Sequence, residues 1–441
     1  MAEPFPRQVA YIVTNEACER FSYYGMLSIL SLYLANEMRL GEVRGKEIVH
    51  LFATAVYFLP ILGGWLADHL FGRYRTILSL SLFYCLGHAA LAVFEGQLWG
   101  IYLGLGLIAL GAGGIKPCVS AFVGDQFLDQ DEKSLRKVYG LFYWSINIGA
   151  FFGFAVIPRF RDVSGYSWAF ALPGIFMGIA TLVFWLGRRR YVIAPPARTA
   201  VDGQSKTNLV DTLKVVGRIA LIFLPIPIFW ALFNQVNSTW VFQGTKMQPF
   251  HILGYKVDAE SMQSVGALLV LIWVPVLTFG VYPLTERLGF RPTPLRRIGI
   301  GLFLAALSYL VCAAIQMSID QGQKLVPTQK LSIAWQVVPY IILEAGEVMV
   351  SATALEFAFS QAPAALKSTI MSLWLMTIAG GHFLVATFTN LNERFVKASG
   401  VMEFLFYAVL MLAGIAMFVW VARRYRQRAE PGAVAVPTSA S

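Results

Sequence analysis

Charge is what this sequence has least of. Asp, Glu, Lys and Arg make up only 14% of its 441 residues, against 57% apolar ones, whereas about a quarter of a water-soluble globule is charged. An ordinary soluble fold, a disordered chain and a collagen-like chain are excluded together. Cysteine is scarce too. Cys18, Cys85, Cys118 and Cys312 lie singly within apolar stretches, without the paired spacings of a disulfide framework or metal site, and they read as small packing residues. Neither His-Glu-x-x-His nor Gly-x-Ser-x-Gly occurs, and no His and Cys cluster has metal-ligand spacing. These absences count against an enzyme and against a metal or organic cofactor. The opening Met-Ala-Glu-Pro-Phe-Pro-Arg lacks the basic segment, short apolar core and small-residue cleavage site of a removable signal, so the first span is expected to be retained.

What the chain has instead is long apolar sequence. A membrane crossing takes about 20 residues, and suitable stretches lie near 10–36, 47–69, 76–94, 98–120, 138–158, 168–187, 212–243, 261–285, 295–317, 331–359, 365–391 and 401–422. An even number puts both ends of the chain on one side. The net charge of +10 is then a statement about topology before it is a nucleic-acid footprint. Arg73 and Arg75, Lys133, Arg136 and Lys137, the triplet Arg188, Arg189 and Arg190, the arginines of 286–297, and Arg423, Arg424, Arg426 and Arg428 fall on one side. That side carries roughly twice the Lys and Arg of the other and is assigned to the cytoplasm. The expected location is a plasma membrane of the bacterial inner-membrane type, with both termini cytoplasmic, lipid around the chain and no nucleic-acid partner.

Composition breaks once, at 188–211, where the Arg triplet, Pro195-Pro196 and a Gly, Ser, Thr, Asn and Lys mixture separate six spans from six. The expected plan is a six-helix bundle over 1–187, a cytoplasmic linker over 188–211, a second six-helix bundle over 212–423 and a basic tail over 424–441. Such an all-α membrane protein of twelve helices is the major-facilitator architecture, in which the halves rock about a site near the bilayer midplane. Between spans 2 and 3, Gly64-x-x-x-Asp68-x-x-x-Gly72-Arg73-Tyr74-Arg75 reads as a conformational latch, with Asp68 set to pair with a neighbouring Arg or helix end.

Ionisable groups inside spans cost about 2.5–3.5 kcal/mol each at a helix centre, so each needs a partner, water or a task. Span 1 holds Glu16, Glu19 and Arg20, followed by Tyr23 and Tyr24, and spacings of three and four stack these on one helix face. Two carboxylates for one Arg leave a spare able to carry a proton. The bland alternative is a self-neutralising pair that only locks the helix. Span 4 runs Gly111-Ala112-Gly113-Gly114-Ile115-Lys116-Pro117, where small residues let backbones approach and Lys116 emerges away from lipid. Arg20 with Lys116 suits an anionic group, most simply a carboxylate; Lys116 pairing with Glu16 or Glu19 is the alternative. Span 10 carries Glu344, Glu347 and Glu356 with no Lys or Arg. Glu347 is placed to attract a cation, while Glu344 and Glu356 are read equally as structural. A cavity positive on one side and negative on the other suits a zwitterion. His50 is a proton site or an interfacial histidine; His69, His88, His251 and His382 are read as structural or surface. Tyr57, Tyr143, Trp230 and Trp374 are pocket candidates in an aromatic-rich chain.

These motifs resemble the proton-coupled oligopeptide transporter family, with similarity to its animal intestinal type and bacterial relatives. Asn15-Glu16-x-x-Glu19-Arg20-Phe21-x-Tyr23-Tyr24-Gly25 matches the family's span 1, Gly113-Gly114-Ile115-Lys116-Pro117 to Gly124-Asp125-Gln126-Phe127 its span 4, and Phe142-Tyr143-Trp144-Ser145-Ile146-Asn147-Ile148-Gly149 its span 5. Phe229-Trp230-Ala231-Leu232-Phe233 and Gly346-Glu347, Leu355-Glu356-Phe357 and Gln361-Ala362-Pro363 are similar to spans 7 and 10. The resemblance implies inward symport of di- and tripeptides with protons by a protein functional as a monomer, with the proton as coupling ion and no cofactor. It implies that Arg20 and Lys116 hold the peptide carboxylate and that Asn147 and Glu347 receive the amino terminus. It implies that Tyr23, Tyr24, Tyr57, Trp230 and Trp374 bound the pocket, and that Glu16, Glu19 and His50 couple the proton.

Four positions depart from the family pattern. Leu27 and Asn234 stand where an Arg and an acid usually pair across the halves, Thr278 replaces an acid expected to face Arg218, and Gly266 replaces an Asn. Losing both members of a buried pair orphans no charge, and a less electrostatic outer gate is expected. The rival functions are uptake of another small anion such as nitrate, and a peptide receptor that does not transport.

Overall fold

The computed structural model describes residues 7–127, 132–193, 209–325, 330–361 and 367–424. Most of the linker expected at 188–211, and nearly all of the tail expected at 424–441, lie outside these residues.

Helices follow the apolar stretches and break where Pro or Gly interrupts them. α1 (Arg7–Leu32) leads to α2 (Gly41–Phe58), and α3 (Pro60–Leu66) extends that crossing with a proline at its first position, where no N–H is needed. α4 (Arg73–Val93) and α5 (Leu98–Asp125) follow. α6 (Glu132–Leu186) is 55 residues long and turns at Gly165, whose φ of +80° lies in the left-handed region that glycine enters at little cost. The seventh apolar stretch is not one helix. It divides into α7 (Leu209–Phe223), α8 (Ile226–Phe233) and α9 (Thr239–Thr245), because Pro225 and Pro227 remove backbone donors where α7 ends.

A short antiparallel hairpin follows, β1 (Phe250–Ile252) against β2 (Tyr255–Val257), in a register that sets Phe250 opposite Val257. Hydropathy alone does not announce it. α10 (Gln263–Pro275) and α11 (Tyr282–Arg287) are joined by a widened π turn, and α12 (Pro294–Leu325), α13 (Val337–Gln361), α14 (Lys367–Leu391) and α15 (Val401–Arg424) complete the chain. Among the described residues, ten helical stretches are long and apolar enough to cross a membrane. One of them, Val138–Arg189, has 52 residues, more than twice what a crossing of about 20 requires. α1 is long enough at 26 residues but carries Glu16, Glu19 and Arg20 within it.

Buried apolar side chains gather into two large cores. One is drawn from α1 to α6 and includes Met26, Tyr84, Phe122 and Phe184; the other is drawn from α7 to α15 and includes Phe229, Trp240, Tyr309 and Met411. The halves touch mainly where α2 packs on α14 and α6 on α10. At one end of the molecule polar contacts join them. Lys46 pairs with Glu403 at 2.9 Å, Arg161 with Glu260, and the Tyr255 hydroxyl donates to the Ala155 carbonyl at 2.5 Å. Gln263 donates to the Ser28 carbonyl at 3.3 Å, and the Ser31 hydroxyl donates to the Asn237 carbonyl.

Small residues set how close α1 and α6 come. A Cβ on Gly153 would lie 2.8 Å from the Gly25 nitrogen, and one on Gly149 would run into the Ala17 carbonyl oxygen and sit 2.9 Å from Arg20 Cβ. Asn15 adds a hydrogen bond to the Ala180 carbonyl at 2.9 Å, and Ser22 one to the Pro173 carbonyl at 2.6 Å. The charged segment of α1 is thereby held at fixed depth against α6. Gly149→Val forces that contact open. Overpacking of this kind costs about 1–3 kcal/mol, so the variant is expected to melt several degrees below the native protein in detergent; an unchanged melting temperature contradicts the tight crossing.

Candidate functional site

A cavity of about 220 Å³ lies between the halves. Of the side chains expected to hold substrate, Tyr23 and Tyr24 of α1, Tyr57 of α2, Tyr143 and Asn147 of α6, Trp230 of α8 and Glu347 of α13 all line it. The helical spacing that stacks Tyr23 and Tyr24 above Glu19 and Arg20 explains why α1 presents rings to the cavity and charges deeper in the wall.

Arg20, Lys116 and Trp374 do not line the cavity. Trp374 stands behind Trp230, the rings 5.8 Å apart and at 75°. The two cations are locked among carboxylates. Arg20 Nε lies 2.7 Å from Glu16 and 3.2 Å from Glu19, and Lys116 Nζ lies 3.6 Å from Glu19. Two positive and two negative groups close into a cluster without net charge, which is what burial in a low-dielectric wall demands. Lys116 also sits 4.5 Å above the Tyr23 ring and 5.8 Å from the Tyr57 ring. Because those two rings line the cavity and Lys116 does not, the tyrosines stand between the cation and the space. The cluster is not saturated: Lys116 Nζ and both Glu19 oxygens are buried without a hydrogen-bond partner.

On the facing wall, Glu347 accepts a 2.6 Å hydrogen bond from Ser351 through one oxygen and leaves the other, buried, without a partner. Asn147 donates to the Tyr143 carbonyl at 3.0 Å. His50 is fully buried where α2 meets α14. Its Nδ1 lies 2.9 Å from Nδ1 of His382, and its Nε2 lies 2.8 Å from the Ser238 hydroxyl. Two ring nitrogens at that distance need one donor and one acceptor, so this pair shares a single proton. His382, read from sequence as structural or surface, is buried, lines the cavity and stacks on Tyr57 at 5.8 Å. Sequence could not join two histidines 332 positions apart on different halves; the only hint was a histidine inside an apolar span.

In the latch motif Asp68 pairs with Arg73, and a second carboxylate joins them. Arg73 makes its close ion pair with Asp125, at the end of α5, and reaches Asp68 only at 4.0 Å. Arg75 is exposed and makes no ion pair among the described residues. Leu27 and Asn234 both line the cavity without charge, and Thr278 and Arg218 are exposed. The joined end of the molecule is nevertheless electrostatic, because Lys46 with Glu403 and Arg161 with Glu260 supply ion pairs elsewhere. Those four residues were not anticipated, since nothing local marks them as partners.

Two bundles of long apolar helices enclosing a central cavity beside a buried charge cluster define an integral membrane protein. The chain belongs to the POT family, whose model matches residues 74–207 and 197–405. Peptide transporter family 1 of Drosophila melanogaster is 38% identical over 363 residues, which make up 72% of this chain and 49% of that protein. Solute carrier family 15 member 2 of Homo sapiens is 36% identical over 364 residues, 72% of this chain and 50% of that protein. The chain therefore spans about half the length of these curated relatives. The crystal structure of an auto-inhibited POT family peptide transporter is similar with a TM-score of 0.86 at 35% identity, covering 97% of this chain and 99% of that one. That of the POT family transporter PepTSo has a TM-score of 0.85 at 35% identity, covering 96% and 99%.

The balance of the buried cluster is testable apart from any activity. Lys116→Met leaves Glu19 short of a partner, and breaking one side of a buried pair costs about 3–5 kcal/mol. Its melting temperature in detergent should fall well below native, and adding Glu19→Gln should recover most of the loss. Independent, additive losses from the two changes contradict the cluster.

Proposed function

We propose that the chain imports di- and tripeptides together with protons by alternating access between its two halves. The observation that carries the reading is the neutral cluster of Arg20, Lys116, Glu16 and Glu19 set behind cavity-lining tyrosines, opposite the unpartnered oxygen of Glu347. Protonation of Glu16 or Glu19 releases Arg20 and Lys116 to bind a peptide carboxylate, with Tyr23 and Tyr57 turning aside. Glu347 and Asn147 receive the amino terminus, and Tyr24, Tyr143, Trp230 and Trp374 bound the side chains loosely. Selectivity is then for the zwitterionic backbone and broad for side chains.

The end joined by Lys46 with Glu403 and Arg161 with Glu260 is the outer face, so the conformation described is closed to the outside. The histidine pair ties His50 of one half to His382 of the other through one proton; a second proton on the facing nitrogens makes one ring cationic and sets two N–H donors against each other, which drives the rings apart. We assign twelve crossings in two six-helix bundles, both termini cytoplasmic, in a bacterial inner membrane, with a monomer as the working unit. Asp68, Arg73 and Arg75 belong to the inner latch, in which Arg73 and Asp125 form the closing pair.

The test is uptake of labelled dialanine into proteoliposomes under an imposed pH gradient and potential. One charge moving through 100 mV supplies about 2.3 kcal/mol, enough for roughly fiftyfold accumulation. Accumulation should be seen with the native protein and lost in Lys116→Ala, and nitrate should not compete. Binding without accumulation supports a receptor instead. His50→Gln should abolish uphill uptake while peptide exchange across the membrane survives; unimpaired uphill uptake removes His50 from the coupling path.

A further inference from the structure

The cavity holds a second acidic group that the proposed handling of a zwitterion does not use. Glu344 lies three residues before Glu347 on α13, a spacing that sets the two Cβ atoms about 5–6 Å apart on one helix face. Both line the cavity, and none of the cavity-lining residues is a Lys or Arg. Glu344 is 97% buried, and one of its carboxylate oxygens has no hydrogen-bond partner. The positive groups of the site are already matched, Arg20 and Lys116 by Glu16 and Glu19, and no cation reaches the α13 pair among the described residues. This wall therefore has two carboxylates where a peptide's amino terminus needs one.

The space for the second carboxylate is made by Gly266 of α10. A Cβ at that position would lie 2.6 Å from Glu344 Oε1 and 3.4 Å from the Tyr340 ring, so any larger residue drives the carboxylate from its place. Glycine at 266 and the acid at 344 are thus one feature of the wall: removing a side chain from one helix admits a carboxylate from its neighbour.

We propose that Glu344 forms a cation subsite beside Glu347, which selects peptides whose first side chain ends in an ammonium or guanidinium. The α-ammonium meets Glu347, and the side-chain cation, a few methylenes away, meets Glu344. Two buried carboxyl groups, each with an oxygen that lacks a partner, thereby gain one from a single ligand. This rests on the peptide-transport reading and narrows its substrate class.

The experiment measures binding of lysyl-alanine, dialanine and glutamyl-alanine to the purified native protein in detergent, by calorimetry, alongside their competition for labelled dialanine uptake in proteoliposomes. A charge-assisted contact in a buried site is worth roughly tenfold or more in affinity. Lysyl-alanine should bind about tenfold tighter than dialanine, and glutamyl-alanine more weakly than either. In Glu344→Gln the ratio of lysyl-alanine to dialanine affinity should fall toward one. Gly266→Ala, which displaces the carboxylate without removing it, should lower the same ratio, so the result does not hang on one variant folding. A native protein that binds lysyl-alanine no better than dialanine overturns the subsite. Loss of proton-driven accumulation in Glu344→Gln with the affinity ratio intact also overturns it, assigning the residue to proton carriage. Failure of every peptide to bind overturns the peptide-transport reading itself and is distinct from both.

Discussion

Everything at the centre of this molecule depends on four charges that have been taken out of water together. Each would cost a few kcal/mol alone at membrane depth, and they are tolerable because Arg20 and Lys116 find Glu16 and Glu19 within 2.7–3.6 Å. Such a cluster is neutral only while all four members keep their charge and their places. A proton on one carboxylate leaves a cation in surplus, and the least costly remedy is an incoming anion. The same arithmetic that makes the wall stable makes it responsive to two ligands at once.

That responsiveness requires a rigid frame. The close approach of α1 and α6 across Gly25, Gly149 and Gly153 fixes the depth of the cluster, and each half has a large apolar core of its own. The halves are held at one end by ion pairs, a hairpin hydroxyl and a shared histidine proton. These are contacts that break and re-form at modest cost, unlike an interdigitated core. The chain lacks an Arg and acid pair at Leu27 and Asn234, yet the joined end keeps ion pairs through Lys46 with Glu403 and Arg161 with Glu260.

How much of this was legible in the sequence follows from range. The membrane class, the long apolar helices and the charged face of α1 depend on composition and on spacings of three to four residues, and they emerge directly; the count of twelve crossings does not, with ten candidate spans among the described residues. Tyr23, Tyr24, Tyr143, Asn147, Trp230 and Glu347, whose positions the family motifs carry, line one cavity together with Tyr57. What escaped depends on how distant segments meet. Arg20 and Lys116 read from sequence as substrate ligands, but Lys116 lies behind the rings of Tyr23 and Tyr57 and Arg20 is held by Glu16 and Glu19, an arrangement set by packing between α1, α2 and α5. The His50 and His382 pair, the Arg161 and Glu260 pair and the partnership of Gly266 with Glu344 each join elements that no local pattern connects. The seventh stretch stands as one candidate crossing, Val216–Thr245, and its helical break at 223–226 follows from Pro225 and Pro227, whose missing donors hydropathy does not register.

The central claim is that moving a peptide and moving a proton are one event, because both act on the same four buried charges. It is tested most directly by enclosing a pH-sensitive dye in proteoliposomes with no gradient imposed and adding dialanine outside. The account predicts that peptide entry acidifies the lumen in native vesicles and that Glu19→Gln vesicles admit peptide without acidification. Peptide flux through the native protein with no movement of protons would contradict it.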